Sequence, residues 1–296
     1  MAARRTLVVL LVFTLGIALL PGAGAAEPDG VYISLGDSVA AGTRPTAAVT
    51  DTAYTDVLFD RAGYEMGLAT HVDVSCPGED SGELIDGDGS YCYSTAFTQL
   101  DYALATIAAD PGAVRLITIN IGANDVLACT DEPDMEVCAG LALNELAINL
   151  QYILTELRTA TFGYDVPIVG MTYYNPLMAY QLSSDPAEQF LGAASPTLVE
   201  GLNYGVLEPV YTAFEVPVAN VAGKFKTSNT SGARYPRNLR YICKFTYMCE
   251  RDDSGLALSD WNPSEEGDQP DIHPTPRGHR MIASAFLRVM EKAGIL

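Results

Sequence analysis

The sequence predicts an α/β fold in which a parallel sheet of about five strands carries helices on both faces. Short apolar runs of strand length alternate along the chain with longer segments of helical spacing, a pattern typical of strand–helix–strand units. The chain has 296 residues, of which 48% are hydrophobic, so it can bury one large core. No sequence period of about 20 to 50 residues repeats, which argues against a solenoid or a propeller.

The predicted elements follow from these runs in order. Strands are predicted at residues 31–35 (VYISL), 71–75, 115–121 (RLITINI), 167–172 and 216–221. Helices are predicted where apolar residues recur every three or four positions. They cover residues 54–66, 95–109, 137–160, 197–214 and 276–293, with a break expected at Gly205 and Pro209. Residues 227–268 are rich in polar residues and predict a long, disulfide-pinned loop, which is a usual place for the wall of a functional site.

The amino terminus has the pattern of a secretory signal peptide. Arg4 and Arg5 precede an apolar stretch at residues 7–20, and the small residues 23–25 follow it. We therefore predict a signal peptide at residues 1–25, a single domain at residues 26–296 and a secreted, extracellular location. A retained membrane anchor is the alternative, but the stretch is short for a span, and no other apolar run is long enough to cross a bilayer.

A secreted location predicts that the six cysteines form disulfides, because disulfides persist in oxidising compartments. The cysteines fall into three neighbouring pairs, and we predict the disulfides Cys76–Cys92, Cys129–Cys138 and Cys243–Cys249. A zinc site is the alternative, but no C-x-x-C pair exists and histidine is scarce. The same absence argues against a thiol redox protein.

The net charge of −20 excludes some classes of partner. Such a chain is repelled by nucleic acid and by anionic lipid, and no basic cluster interrupts the acidic sequence. We expect no nucleic-acid partner, no stable membrane insertion after signal cleavage, and a monomer. A neutral substrate is easier to accept than an anionic one.

A candidate nucleophile follows the first strand. Gly36, Asp37 and Ser38 end the apolar run and lead into small residues. A serine hydroxyl becomes a useful nucleophile only when a base removes its proton. We interpret Asp37 as a residue that organises the loop rather than one that does chemistry.

The base is sought among the three histidines of the chain. His71 opens a strand in a polar context and is expected at the surface, whereas His279 lies inside the last helix and is expected to pack or to hydrogen-bond. His273 comes just before that helix, where Thr275 and Pro276 are suited to begin it. His273 is therefore the candidate base.

Candidates for an oxyanion hole follow the other strands. The backbone N–H of Ser38, the backbone N–H of Gly78 and the side-chain amide of Asn124 lie at the carboxyl ends of three predicted strands. In parallel sheets these ends meet at one edge, so the three donors can converge. Tyr173 and Tyr174 follow the fourth strand and either line a substrate pocket or pack in the core.

Four sequence blocks contain these candidates: Gly36-Asp37-Ser38, Cys76-Pro77-Gly78-Glu79, Gly122-Ala123-Asn124-Asp125 and Asp271-Ile272-His273-Pro274. In this order the blocks resemble those of the GDSL or SGNH hydrolases, and most closely the secreted, disulfide-bearing esterases and lipases of that family. The resemblance implies a flavodoxin-like three-layer α/β/α sandwich and ester hydrolysis through an acyl-enzyme. It also implies Ser38 as nucleophile, His273 as base, oxyanion donors at Ser38, Gly78 and Asn124, and no metal or organic cofactor.

The sequence departs from the family pattern beside the histidine. The family commonly places the triad acid three residues before the histidine, where this chain has Pro270, and Asp271 lies two before it. Either the Asp271 carboxylate or a backbone carbonyl of residues 270–271 orients the ring. Val39 also replaces the leucine that commonly follows the serine. The G-x-S-x-G motif of ordinary α/β-hydrolases is absent.

The functional hypothesis is a serine carboxylesterase or lipase that acts on a small-molecule or lipid ester such as an acyl glycerol. A phospholipase and a carbohydrate acetyl esterase use the same kind of site and are the alternatives within this class. A non-catalytic secreted binding protein on a hydrolase scaffold is the alternative of another class, and the presence of all four blocks argues against it.

Overall fold

The structure is a computed structural model that describes residues 29–44, 52–228, 235–249 and 270–296. The main sheet has five strands: β1 (Gly30–Gly36), β2 (Leu68–Asp73), β3 (Val114–Asn120), β4 (Ile168–Met171) and β5 (Val218–Ala219). All neighbouring strands are parallel, in the order β2-β1-β3-β4-β5. This confirms the predicted parallel sheet of five strands. The predicted signal peptide, residues 1–25, lies outside the described residues.

The strands at the centre of the sheet are the ones that the sequence predicts best. Ile33, Leu35, Ile117 and Ile119 are fully buried. A parallel sheet covered on both faces buries both sides of its strands, so their sequences are continuously apolar rather than alternating. The bounds of β1, β3 and β4 accordingly agree with the prediction to within one residue at each end.

Eleven α-helices are found in the described residues, together with a 3₁₀-helix at Pro176–Leu182 and a π-helix at Gly201–Leu207. The α-helices are α1 (Ser38–Ala41), α2 (Tyr54–Met66), α3 (Ser81–Asp86), α4 (Gln99–Ala109), α5 (Ala123–Leu127), α6 (Met135–Ala160), α7 (Pro186–Glu200), α8 (Glu208–Ala213), α9 (Val221–Lys224), α10 (Tyr235–Phe245) and α11 (Pro276–Ala293). The bounds of α2 and α11 are those predicted. The side chain of Thr275 accepts a hydrogen bond from Gly278 N at the start of α11, and Gly294 ends that helix in the left-handed region.

Chain direction places the helices in two layers. The connection from β1 to β2 runs toward one edge of the sheet, whereas those from β2 to β3, β3 to β4 and β4 to β5 run the other way. Right-handed crossovers then put α2 on one face and α4, α6 and α8 on the other. Helix α11 packs against α2 and completes the first layer. The connections between strands change direction beside β1. In sheets of this kind, ligands bind at the carboxyl ends of the strands that flank such a change of direction.

Strand β2 begins three residues before its predicted start, and the short helices α1, α3, α5 and α9 were not predicted. Two longer segments also differ from the prediction. The single helix predicted at residues 197–214 is instead the end of α7, a π-helix and α8, with no break at Gly205. The predicted loop at residues 227–268 contains α10 and strand β6 (Thr246–Tyr247), which pairs antiparallel with strand β7 (Asp271–Pro274). The two short strands escape prediction because neither is long enough to show a periodic pattern. The remainder of this predicted loop, residues 229–234 and 250–268, lies outside the described residues.

Helix α6 has the length and composition of a membrane span. It has 26 residues, and its most apolar stretch has a mean hydropathy of 1.4. This corrects the prediction that no second apolar run is long enough to span a bilayer. Leu146, Leu150, Ile153 and Leu157 are nevertheless fully buried, so one face of the helix belongs to the core of the domain.

The three disulfides of the structure have the predicted pairing. They join Cys76 to Cys92, Cys129 to Cys138, and Cys243 to Cys249. Each closes a short segment, so its contribution through restriction of the unfolded chain is about 2–3 kcal/mol. The first lies beside Gly78 and the third connects α10 to the end of β6, so two of them brace segments that carry candidate site residues.

Candidate active site

Ser38 is the first residue of α1, directly after the end of β1. Gly36 has φ +145°, and a Cβ there would lie 2.3 Å from the carbonyl oxygen of Asn120. Only glycine fits this approach, because L side chains rarely adopt such a φ and the facing atom is backbone. The side-chain amide of Gln99 holds the same residue, accepting from Gly36 N at 2.7 Å and donating to Gly36 O at 3.1 Å. Ser38 therefore begins its helix from a rigidly fixed strand end.

The carboxyl group of Asp37 is a buried hydrogen-bond acceptor beside the serine. Its Oδ1 accepts from Val39 N at 2.9 Å and from Asn120 Nδ2 at 2.8 Å, and its Oδ2 accepts from the Tyr173 hydroxyl at 2.6 Å. Burial raises the pKa of Asp37 to about 6 in spite of these three donors. Asp37 caps α1 and connects it to β3, which supports its interpretation as an organiser of the loop.

His273 lies on β7, and Asp271 lies on the same strand. The Nδ1 atom of His273 and the Oδ1 atom of Asp271 are 2.7 Å apart, and the same oxygen accepts from His273 N at 2.7 Å. The partner of the ring is thus the carboxylate rather than a backbone carbonyl. Burial raises the pKa of Asp271, but the hydrogen bonds and charge of His273 outweigh it and hold the pKa below its usual value. An ionised carboxylate that accepts from Nδ1–H leaves Nε2 as a proton acceptor.

The structure brings the serine and histidine segments together without a hydrogen bond between the two side chains. Helix α1 and strand β7 are in contact, and the charge of His273 acts on the carboxyl group of Asp37. The hydroxyl of Tyr174 donates to Ile272 O at 2.8 Å and so ties β7 to the end of β4. Catalytic hydrogen bonds are often long before substrate binds, so this arrangement is compatible with proton transfer from Ser38 to His273.

The three candidate oxyanion donors each have an N–H that is available. Within the described part of the chain, no acceptor pairs with Ser38 N or with Gly78 N. Asn124 Nδ2 donates one hydrogen to Glu79 O at 2.8 Å, which leaves its second hydrogen for a ligand. Gly78 has φ +87°, a conformation that favours glycine and exposes its amide. A negatively charged oxygen placed among these donors would find hydrogen bonds already oriented.

The segment with Gly78 is anchored to α5 by polar contacts. The carboxylate of Asp125 accepts from Ser81 N at 3.1 Å and from the Ser81 hydroxyl, and Asn149 Nδ2 donates to the same hydroxyl at 3.0 Å. Burial raises the pKa of Asp125 to about 6. Glu79 is also fully buried, and its pKa is raised to about 7 although Ser90 donates to it at 2.6 Å. One buried carboxyl, that of Glu79, and one half-buried carboxyl, that of Asp125, thus support the oxyanion segment.

An apolar pocket of about 50 Å³ opens beside Ser38. Its wall is built from α5, the ends of β4 and α7, and the start of the π-helix. The lining residues are Asp37, Ser38, Val39, Ala123, Asn124, Val126, Leu127, Thr130, Tyr173, Tyr174, Pro176, Leu177, Leu198, Val199, Leu202 and Ile272. Tyr173 and Tyr174 are both lining residues and buried core residues, so both of their predicted roles apply.

The other two histidines have structural roles. His71 was expected at the surface, but only 10% of its side chain is exposed. Its ring stacks on Tyr32 with centroids 4.5 Å apart, and its Nε2 lies 2.9 Å from the Ser34 hydroxyl, so the expected surface position is wrong. His279 is buried as predicted, and its Nδ1 accepts from Tyr54 N at 3.1 Å. Burial lowers the pKa of His279 to about 3, so it stays neutral.

The sequence analysis did not identify the buried polar residues that hydrogen-bond to Gly36 and Asp37 beneath the candidate nucleophile. Gln99, Asn120 and the Tyr173 hydroxyl are buried and bonded to Gly36 or Asp37. Asn120 is also bonded by the Tyr54 hydroxyl at 2.6 Å. A polar residue at the end of an otherwise apolar strand, as Asn120 is in RLITIN, is the sequence signal that could have revealed this network.

Among protein families, one matches most of the chain. Residues 34–281 match the GDSL-like Lipase/Acylhydrolase family. Among solved structures, the chain is similar to TesA, with 15% sequence identity and a TM-score of 0.47 over 90% of this chain and 99% of that one. It is also similar to Axe2, an acetylxylan esterase from Geobacillus stearothermophilus, with 16% identity and a TM-score of 0.46 over 89% and 96% of the two chains. No curated protein matches the chain.

The family match carries the assignment, because the structural similarities are too weak to add to it. Ser38, Gly78, Asn124 and His273 all fall inside the matched residues. The structure agrees with the family match. It has a parallel sheet, a serine after β1 and two further oxyanion donors at the carboxyl ends of strands. The chain therefore belongs to the GDSL-like lipase/acylhydrolase family, and it is an enzyme that hydrolyses esters.

Proposed function

We propose that this protein is a secreted carboxylesterase that hydrolyses esters of short acyl chains through an acyl-enzyme on Ser38. The observation that carries the proposal is the apolar pocket shared by Ser38 and Asn124. A serine and an oxyanion donor that line the same apolar pocket can hold an acyl group with its carbonyl between them.

In the proposed mechanism, Ser38 is the nucleophile, His273 transfers the proton and three N–H groups bind the oxyanion. His273 Nε2 takes the proton of the Ser38 hydroxyl as Oγ attacks the ester carbonyl. The oxyanion is bound by Ser38 N, Gly78 N and Asn124 Nδ2, each worth about 3 kcal/mol in sites of this kind. The protonated ring, stabilised by Asp271, then gives the proton to the leaving alcohol as the carbon–oxygen bond breaks. Water, activated in the same way, attacks the acyl-enzyme and releases the acid.

The size of the pocket favours short acyl chains. A single water needs about 10–15 Å³ of such space, so a pocket of about 50 Å³ holds only a few water-sized or methylene-sized groups. The acid part of the substrate is therefore expected to have about two to six carbons. The apolar lining supports an alkanoyl group rather than a hydroxylated or charged acid.

The alternatives within the class have less support. No Lys or Arg lines the pocket at Ser38, so a phospholipid headgroup would lack a cationic partner among the described residues there. A carbohydrate acetyl ester would fit the same acyl pocket, and its recognition would depend on the alcohol side. The secreted location is part of the proposal and is supported by the charged, apolar and small-residue sequence of residues 1–25.

The test is hydrolysis of nitrophenyl esters from acetate to palmitate by the oxidised protein and by Ser38→Ala. We expect kcat/KM to be highest for chains of about two to six carbons and to fall by at least about 10³-fold in Ser38→Ala. The matched control is Ser94→Ala, which changes an exposed serine outside the pocket. A fluorophosphonate should phosphonylate the wild type and Ser94→Ala once per chain, with loss of fluoride, and should leave Ser38→Ala unmodified.

Equal hydrolysis by wild type and Ser38→Ala would overturn the serine mechanism. Phosphonylation of Ser38 with no turnover of any nitrophenyl ester would keep the nucleophile and overturn the general carboxylesterase. Highest activity on palmitate would overturn the short-chain preference and would favour a lipase.

A further inference from the structure

Positive charge is unevenly distributed along the chain. The sequence has 17 Lys and Arg residues against 37 Asp and Glu, and eleven of the 17 lie at or after Lys224. The structure gathers four of these cations, Lys224, Lys226, Arg288 and Lys292, in one cleft of about 620 Å³. Among the residues that the structure describes, no Asp or Glu lines this cleft. The prediction that no basic cluster interrupts the acidic chain is therefore wrong, and residues 224–244 already show this in the sequence, because they hold six Lys and Arg residues and no Asp or Glu. We name the cleft that is lined by Lys224, Lys226, Arg288 and Lys292 the basic cleft.

The basic cleft lies between α9, α10 and α11, beside β5. Arg288 and Lys292 are one turn apart on α11, and Lys224 Nζ donates to the Ser284 hydroxyl of the same helix at 2.9 Å. Val218 and Ala285 are among the apolar residues between the cations. The cleft therefore combines a positively charged rim with an apolar floor. It shares no lining residue with the pocket at Ser38.

The four cations of the basic cleft have no neutralising partner in the described part of the chain. None of them forms an ion pair with any of the described residues, whereas Arg115 on another part of the surface pairs with Asp29 at 3.5 Å. Like charges held in one cleft repel each other, and a bound anion would remove this repulsion. The unbalanced charge therefore points to an anionic ligand.

Lys226 is held in a backbone conformation that favours glycine. Its φ is +65°, and it stands where α9 ends, with Lys226 N donating to Gly223 O and Thr227 N donating to Ala222 O. Glycine is the usual residue at this point of a helix end, because it adopts a positive φ without strain. A lysine here gives the cleft a fourth positive charge at the expense of local conformational energy.

We propose that the basic cleft binds a small organic anion with at least two phosphate, sulfate or carboxylate groups. The net charge of −20 repels nucleic acid, anionic polysaccharides and anionic bilayers, which meet a large part of the molecular surface. A small anion meets the local potential of the cleft, because charges beyond about 8 Å are screened at physiological ionic strength. The volume is within the range of small-molecule sites, about 300–1,000 Å³, and the apolar floor suits a carbon skeleton.

The test is calorimetric titration of the oxidised protein with inorganic pyrophosphate and with fructose 1,6-bisphosphate, used as probes of the charge and of the skeleton. We expect one-site binding of the bisphosphate, weakened about tenfold or more in Arg288→Gln/Lys292→Gln. The matched control is Arg277→Gln/Arg280→Gln, which removes the same charge from exposed positions of the same helix outside the cleft. The control should change the affinity by less than about threefold, because its charges are screened from the cleft.

A second variant separates binding from folding. Lys226→Gly removes a cation from a position that suits glycine, so it should weaken binding without lowering the melting temperature. The proposal is overturned if the wild type binds neither probe, or if the control and the cleft variants weaken binding equally. Sedimentation with phosphatidylglycerol vesicles in the absence of probe binding would also overturn it, and would assign the charge to a membrane surface.

Discussion

Asp271 accepts two hydrogen bonds on one oxygen, from the backbone and from the ring of His273. This arrangement lets a carboxylate two residues before the histidine reach Nδ1, where the family pattern has three. The short spacing works because residues two apart on an extended strand lie on the same face, so the Asp271 carboxylate reaches forward to the backbone N and to Nδ1 of His273. The sequence alone left the carboxylate and a backbone carbonyl equally open.

We expect Asp271→Asn to lower kcat by about 10²–10⁴-fold with little change in KM. An amide in place of the carboxylate no longer stabilises a protonated ring, and it can fix the wrong tautomer of His273. Steady-state kinetics on nitrophenyl butyrate measure the split between kcat and KM. A kcat within threefold of the wild type would show that Asp271 positions the strand and has no electrostatic part in the reaction.

Some of the secondary-structure elements that form the candidate active site have no recognisable pattern in the sequence. The central strands could be predicted because their burial makes them continuously apolar, and α11 because its ends carry a threonine cap and a glycine stop. Strands β6 and β7 have two and four residues and no periodic pattern, yet β7 carries His273. Part of the wall of the acyl pocket comes from a π-helix, whose i→i+5 hydrogen bonds do not follow the 3.6-residue period of an α-helix.

Helix α10 and strand β6 are joined by the disulfide between Cys243 and Cys249, and β6 pairs with the strand of His273. We expect Cys243→Ser/Cys249→Ser to lower kcat about tenfold while the free energy of unfolding falls by about 2 kcal/mol. The loss of kcat follows from a looser β7, and urea unfolding beside steady-state kinetics measures both effects.

The matched control for this variant is Cys129→Ser/Cys138→Ser, which opens another short loop but leaves the β6–β7 pair intact. It should lose comparable stability and keep kcat. If the two double variants lose kcat to the same extent, the third disulfide has no specific part in placing His273.

Carboxyl groups with raised pKa values largely determine how the free energy of unfolding depends on pH. The pKa of Asp37 and that of Asp125 are raised to about 6, and the pKa of Glu79 to about 7, in each case mainly by burial. A raised pKa means that the folded state holds a proton which the unfolded chain has already released. These three groups therefore make the stability increase as the pH falls from about 7 toward about 4, and they outnumber His279, whose lowered pKa acts in the opposite direction below the ordinary pKa of histidine.

We therefore expect the free energy of unfolding, measured in urea, to be higher at pH 5 than at pH 8. Below about pH 4 it should decrease again, because Asp271, whose pKa is lowered, loses its charge and its pairing with His273. Glu79→Gln should flatten the change between pH 5 and pH 8, whereas Glu65→Gln, at an exposed position, should leave it unchanged. A stability maximum near pH 8 in the wild type would contradict this interpretation.

The basic cleft could be predicted from the sequence only in part. Lys224 and Lys226 begin a stretch without Asp or Glu, residues 224–244, that holds six Lys and Arg residues, whereas Arg288 and Lys292 lie more than 40 residues further along the chain. Only the packing of α11 against α9 brings them together. Net charge predicts which polymers a protein avoids, but the local field depends on the tertiary fold.

The contact between α1 and β7 also has a consequence for biosynthesis. Ser38 emerges from the ribosome early, and His273 emerges more than two hundred residues later. Contacts of such large sequence separation form late in folding, because the intervening chain must first be ordered. On the proposed mechanism, an incomplete chain cannot cleave an ester before His273 has been synthesised and placed beside Ser38. Activity would appear only when the last helix docks, so turnover itself would report that the enzyme has finished folding.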